Sequence, residues 1–191
     1  MGFSNGDGTF SVTNEQHKDF PRWASERGPH TKLLTGDFNG DGRTDFALCG
    51  ISDWREFPIA FSNGDGTVNV VSRPAGGISK WSGNMYAEVL TGDFNTDGYD
   101  DVAITGVPGW VTVPLVFSNG DGTFVDVNSQ GSHLFTEMAA LNNSKGRVVA
   151  GEFSGEGGID LALVDQRRTN TITYGRYTGF ASFYPYSGDM T

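Results

Sequence analysis

The chain has 191 residues, 37% hydrophobic and 19% charged, a size that suits one domain and a composition that excludes a disordered polymer. Its formal net charge is -10 and its pI about 4.5. That excludes nucleic acid as an expected partner, because phosphate binding needs clustered Lys and Arg. No apolar run is long enough to span a membrane, and the single cysteine, Cys49, excludes an intramolecular disulfide.

In chain order, the first feature is "MGFSNGDGTF". It lacks the basic and apolar regions of a secretory leader. It also opens inside a motif that returns twice. "FSNGDGTF" starts at Phe3, "FSNGDGTV" at Phe61 and "FSNGDGTF" again at Phe117, spacings of 61 − 3 = 58 and 117 − 61 = 56. A second motif keeps step. "LTGDFNGDGRTDFAL" starts at Leu34, "LTGDFNTDGYDDVAI" at Leu90 and "VAGEFSGEGGIDLAL" at Val149. One unit is therefore copied about three times.

Within a unit, "TKLLTGDF" and "TDFALCG" are short, β-branched or aromatic, and bounded by Gly and Asp. They read as two strands joined by an acidic loop. "FPIAFSNGDGTVNVV" reads as two more strands around Asn63-Gly64-Asp65-Gly66, a tight turn that needs positive φ. The expected elements are an orphan N-terminal strand within 1–16, then four-stranded units over about 31–72, 87–128 and 147–187. No helical periodicity is evident; "SHLFTEMAAL" at 132–141 is the least strand-like stretch and has room for one helical turn. A four-stranded unit at a period of 50-odd residues predicts an all-β fold, a β-propeller of about three blades per chain.

The acidic loop points to a cation. Asp37, Asn39 and Asp41 alternate, Gly42 allows the reversal, Arg43 offers its carbonyl and Asp45 closes the set. These are the first nine positions of a D-x-N-x-D-G-x-x-D loop, whose hard oxygen donors favour Ca²⁺. Leu48 stands where an EF-hand needs its bidentate Glu, and the flanks are strands, so this is not an EF-hand. The second copy repeats the set with Asp93, Asn95, Asp97, the Tyr99 carbonyl and Asp101. The third, with Glu152, Ser154, Glu156, Gly158 and Asp160, is degenerate. The competing reading is a set of Asp- and Gly-rich turns bonded to their own backbone; two near-complete copies in register favour calcium. Asp7, Asp65 and Asp121, each alone between glycines, read as hairpin-turn residues.

These motifs carry a resemblance. "GDFNGDGRTDFAL" and "FSNGDGTF" resemble the FG-GAP or VCBS-type repeats of integrin-like propellers. The period and the W-x-x-x-P-x-x-F-S-N-G-D-G pattern look closest to the Psathyrella velutina-type fungal lectins. The resemblance implies a calcium-stabilised, multivalent lectin for N-acetylglucosamine-type or sialylated glycans, with pockets between blades. It also favours a secreted or extracellular protein. The alternative it leaves open is a non-catalytic propeller acting as a structural or protein-interaction module. The third repeat departs from the pattern, with "YGRYTGF" in place of the second motif.

A sugar site needs an aromatic face and polar groups for hydroxyls. Trp54 and Trp110 occupy one repeat position, Trp23 and Trp81 another, and Phe135 roughly replaces the latter pair in the third repeat. They suit sugar platforms or wedges between blades, and composition does not separate the two. Asp53, Arg55, His30 and Asn84 are the polar neighbours. No enzyme is expected. Gly2-Phe3-Ser4-Asn5-Gly6 matches G-x-S-x-G, but its copies lose the first Gly and sit in a hairpin. His17, His30 and His133 share no repeat position. Cys49 reads as a buried small side chain.

Three blades do not close a ring, since propellers have about four to eight. The expectation is a homo-oligomer, a dimer giving six blades with cyclic symmetry; the alternative is a natural or engineered piece of a longer propeller.

Overall fold

The computed structural model describes residues 1–14, 16–17, 19–26, 30–51, 53–129, 146–165, 171–177 and 183–189. The elements are β1 (Gly2–Ser4), β2 (Phe10–Val12), α1 (Phe20–Glu26), β3 (Lys32–Gly36), β4 (Asp45–Cys49), β5 (Glu56–Ser62), β6 (Val68–Pro74), α2 (Gly76–Ser82), β7 (Glu88–Gly92), β8 (Asp101–Thr105), β9 (Val113–Ser118), β10 (Phe124–Ser129), β11 (Gly146–Gly151), β12 (Asp160–Asp165), β13 (Thr171–Tyr177) and β14 (Phe183–Asp189). Strands β3–β6, β7–β10 and β11–β14 form three four-stranded sheets in sequential order, and β1–β2 form a separate pair. All described pairings are antiparallel. Innermost strands are neighbours, β3 beside β7 and β7 beside β11. These are blades of a β-propeller, and no sheet closes on itself.

The blades stack because their second and third strands are apolar on both faces. In β8 every residue is buried. Successive side chains alternate between faces, so Val102 and Ile104 enter one core with Phe38, Ala47, Phe57 and Ile59. Ala103 and, from β9, Leu115 enter the other core with Phe94, Leu161 and Leu163. One strand thus serves two cores, which is why its centre, Val102-Ala103-Ile104, is apolar without alternation. Phe38 and Phe94, second residues of the acidic loops, are fully buried beneath them. Each contributes roughly 1.5–3 kcal/mol by burial. The Phe124 ring meets Phe57 edge-on at 5.2 Å and Phe38 at 6.3 Å.

Two expectations are corrected. The described residues hold two helices where none was expected. Each spans 7 residues, too short for a 3.6-residue period to show. Pro21 in the first turn of α1 was the local signal. Tertiary bonds hold α2: Gly77 N–H donates to Asp126 Oδ2 at 2.7 Å, Gly50 N–H donates to Ser82 Oγ at 3.0 Å, and Lys32 Nζ donates to Ser82 O at 2.7 Å. The expected single N-terminal strand is instead a hairpin, because Gly6 and Gly8 at φ 80° and 88° turn the chain between β1 and β2. The helical turn considered at 132–141 lies outside the described residues.

Glycines at the ends of the inner strands let blades approach. A Cβ on Gly36 would lie 2.9 Å from Asp100 Oδ2, and one on Gly92 would lie 2.6 Å from Ile159 Cγ2. Gly92→Ala is expected to lower stability by about 1–3 kcal/mol through overpacking, read as a fall in melting temperature. Ile159→Ala in the same chain should recover part of the loss. A double variant that merely sums the two single losses would contradict the contact.

Candidate functional site

Each acidic loop joins the first and second strands of a blade and turns its side chains onto its own backbone. In the first loop, Asp41 N–H donates to Asp37 Oδ1 and Asn39 Oδ1, both at 3.1 Å. Gly42 N–H donates to Asp37 Oδ2 at 2.7 Å, and Arg43 N–H to Asp41 Oδ1 at 2.9 Å. Asp41 Oδ2 accepts Asn39 Nδ2 at 2.9 Å and the Arg43 guanidinium. The second loop repeats this. Asp97 N–H donates to Asp93 Oδ1 at 3.1 Å and Asn95 Oδ1 at 3.0 Å, Gly98 N–H to Asp93 Oδ2 at 3.0 Å, and Tyr99 N–H to Asp97 Oδ1 at 3.0 Å. The repetition includes the strain: Thr96 takes φ 63° where Gly40 takes 72°, a costly backbone for a β-branched residue.

The closing aspartates do something different. Asp45 is fully buried, its Oδ1 accepting Ser62 N–H at 2.8 Å and its Oδ2 accepting Phe38 N–H at 3.1 Å. Asp101 does the same with Ser118 N–H at 2.9 Å and Phe94 N–H at 3.0 Å. Each ties the loop to the end of the third strand of its blade. In the third loop, Phe153 and Ser154 N–H donate to Asp160 Oδ2 at 3.0 and 2.9 Å, while the buried Asp160 Oδ1 has no partner among the described residues. Glu152 accepts Ser154 Oγ and Gly155 N–H instead of the doubled pattern of the first two loops.

As a cation seat, the first two loops fit by donor chemistry. Two oxygens converge on one N–H, and a carboxylate oxygen keeps a second lone pair. No group of three or more His, Cys, Asp or Glu side chains converges among the described residues. Asp45 and Asp101 face the blade interior, so Asp37, Asn39 and Asp41, with Asp93, Asn95 and Asp97, form the open side of each loop. The side chain of Arg43 also donates from Nε to Ser62 O at 2.8 Å, and the ring of Tyr99 lies against Gly40 and Gly120. The "NGDG" turns are hairpins: Thr67 N–H and Oγ1 both donate to Asp65 Oδ1, and Asp7 with Thr9 and Asp121 with Thr123 repeat this. The Thr hydroxyl, and then its amide, hold these three carboxyls below the ordinary value.

The tryptophans line two clefts. The first, about 260 Å³, is walled by Trp23, Trp54, Asp53, Arg55, Glu56, Pro58 and Ser72. The second, about 430 Å³, is walled by Lys80, Trp81, Asn84, Gly109, Trp110, Val111, Thr112, Pro114 and Asn128. They are the same cleft, moved along one repeat: Trp54 and Trp110, Pro58 and Pro114, and Ser72 and Asn128 are each 56 residues apart. A helix supplies one Trp, and the loop between the second and third strands supplies the other. Both loop Trp residues close the same turn, Trp54 N–H donating to Ile51 O and Trp110 N–H to Val107 O, each at 3.1 Å. In the second, Pro108 and Gly109 (φ 86°) hold the two central positions of a type II turn.

All four Trp residues are half-buried, and Trp81 and Trp110 also pack against the core. Trp81 and Trp110 are therefore core contact and cleft wall at once. Asp53, Arg55 and Asn84 join them. His30 does not: it is exposed, and its carbonyl oxygen would lie 2.0 Å from a Cβ on Gly50, so its backbone seats that turn. Phe135 lies outside the described residues. Residues missed by sequence reasoning are Glu56, Ser72, Lys80, Thr112 and Asn128. The repeat-matched prolines were a usable signal for this face; the strand positions were not. Cys49 is buried, and its thiol is pushed up to about 11 by that burial.

Residues 37–104 match the family described as FG-GAP-like repeat. Among solved structures, a lectin of Agrocybe aegerita, described as specifically recognising non-reducing terminal N-acetylglucosamine, superposes with a TM-score of 0.71 at 22% identity. The match covers 97% of this chain and 45% of that one. The chain therefore spans a little under half of that lectin, and the likeness is one of fold. No curated protein sequence matches the chain.

Burial is the largest influence on the closing aspartates, raising Asp45 to about 6 and Asp101 to about 8 against the pull of two backbone N–H groups each. The folded protein then binds these protons more tightly than the unfolded chain. The stability so gained is complete below about pH 4 and is lost as pH rises through 6 and 8. In chelator, the stability margin of the wild type over Asp101→Asn should shrink between pH 5 and pH 9, read by urea titration. A constant margin would contradict the burial account.

Proposed function

We propose that the chain is a calcium-stabilised, multivalent lectin whose sugar sites are the two Trp-walled clefts. The observation that carries this reading is the recurrence, one repeat apart, of a cleft with two half-buried Trp residues and a polar rim. An indole face suits the apolar side of a pyranose, and the rim supplies donors and acceptors for hydroxyls. The clefts differ in charge: Asp53, Arg55 and Glu56 rim the first, Lys80, Asn84 and Asn128 the second. N-acetylglucosamine-type ends suit both, since they are neutral. Sialylated ends suit the second, where Lys80 is the only charged residue among the described lining. Two weak sites on one chain give avidity toward branched or clustered glycans.

Calcium would be held by Asp37, Asn39 and Asp41, and by Asp93, Asn95 and Asp97. When bound, it supplies positive charge that relieves repulsion within each loop. Its role is structural, since the loops and the clefts draw on different residues. A calcium concentration 100-fold above its dissociation constant adds about 2.7 kcal/mol of stability per site by linkage.

The test is a glycan array with the protein in calcium and in chelator. Binding to terminal N-acetylglucosamine is expected, with Trp54→Ala and Trp110→Ala each weakening it about tenfold, or roughly 1.4 kcal/mol. Calcium should raise the melting temperature of wild type and both variants alike. An array on which no glycan binds would sink the lectin reading and favour the alternative, a propeller that serves as a protein-interaction module.

A further inference from the structure

The two clefts share a frame and differ in chemistry at matched positions. A step of 56 residues carries Trp54 to Trp110 and Pro58 to Pro114, so one wall and the strand behind it are kept. The same step carries Asp53 to Gly109, Arg55 to Val111 and Glu56 to Thr112, and all of these residues line their cleft. Every charge of the first rim is thus replaced by a neutral residue in the second, where Lys80 of α2 supplies a cation instead. Two carboxylates and one guanidinium give the described lining of the first cleft a net negative charge. The described lining of the second is net positive.

The first rim does not neutralise itself. Among the described residues no ion pair joins Arg55 to Asp53 or Glu56. All three side chains are exposed. Glu56 Oε2 accepts the Ser72 hydroxyl of the neighbouring outer strand, which holds that carboxylate against the wall and leaves Oε1 without a partner among the described residues. The aromatic wall points the same way as the carboxylates. The indole faces of Trp23 and Trp54 attract a cation, and an ammonium group has three donors for carboxylate oxygens. A sugar that lays its apolar side on the indole and carries a positive charge at its edge uses both features. An amino sugar with a free amine is such a ligand; N-acetylation removes its charge.

We propose that the first cleft prefers glycan ends whose amino sugar bears a free ammonium group, with Asp53 and Glu56 as the residues that set this preference. The second cleft prefers N-acetylated or acidic ends. The inference rests on the lectin reading given above. The preference is electrostatic and lies at an exposed rim, so it amounts to about tenfold at low salt and shrinks as salt is added.

The experiment titrates the calcium-loaded chain at pH 6, where the sugar amine carries its proton, with the methyl glycosides of glucosamine and N-acetylglucosamine. The indole N–H signals, assigned by single Trp→Phe substitutions, report each cleft separately. The Trp23 and Trp54 signals should saturate at about tenfold less glucosamine than N-acetylglucosamine in low salt, a gap that narrows to about threefold at high salt. The Trp81 and Trp110 signals should show the opposite order. Glu56→Gln should lower the ratio of the two affinities at the first cleft, and Thr112→Glu should shift the ratio at the second toward glucosamine, each by about threefold. A first cleft that takes N-acetylglucosamine as well as or better than glucosamine overturns the proposal and leaves the lectin reading standing. Indole signals that respond to neither sugar sink the lectin reading and this inference with it. Ethanolamine that saturates the first cleft as readily as glucosamine makes it a plain cation site and overturns the proposal, as does a sialylated end that binds there more tightly than glucosamine.

Discussion

A carboxylate buried at the corner of a blade, with a backbone N–H on each oxygen, is the constraint around which this protein is arranged. Asp45 and Asp101 each lie where three segments meet: the start of the second strand, the start of the acidic loop, and the end of the third strand. Burying an ionised group is costly, and backbone N–H groups on both oxygens offset only part of that cost. The direction of the pKa shifts says so directly, since burial outweighs the hydrogen bonds in both cases. The loops above these carboxylates carry further negative charge. A blade therefore concentrates its acidic groups at one corner.

That corner is also where blades join. Asp100, beside Asp101, accepts Asp37 N–H on its side chain at 2.7 Å and donates its own amide to Asp37 O at 2.8 Å. Ile159 N–H repeats the second bond to Asp93 O at 2.9 Å. Ser118 Oγ donates to Phe38 O at 2.8 Å across the same boundary. The acidic loops thus form a continuous chain of contacts from blade to blade, while the Trp clefts open from other loops and from the helices. The frame and the clefts draw largely on separate residues of each repeat, with Trp81 and Trp110 belonging to both. That separation lets the clefts vary, from Asp53 and Arg55 to Gly109 and Val111, without disturbing the frame.

Much of this was legible in the sequence because it is periodic. The blades follow from two motifs in step, and the pairing of Trp54 with Trp110 and Trp23 with Trp81 follows from the same count. Three things were not legible. Helix α2 is held by bonds to distant residues, such as Gly77 to Asp126, and seven residues carry too little pattern. The inward turn of Asp45 and Asp101 is a tertiary fact: spacing marks them as members of the acidic set, and only the end of the third strand shows which N–H groups claim them. Asn128 and Ser72 reach the clefts from outer strands, where one polar residue among several gives no signal. His30 shows the opposite error, since a polar side chain near a Trp in sequence need not face it.

The account rests on the claim that the two Trp-walled clefts are sugar sites built on a repeated frame. The chain has four Trp residues, so its indole N–H groups give four nitrogen-correlated proton signals. Titrating the calcium-loaded protein with N-acetylglucosamine should move all four in a saturable manner, with backbone amides of the acidic loops left in place. Indole signals that stay fixed at millimolar sugar, or shifts confined to the acidic loops, would contradict it.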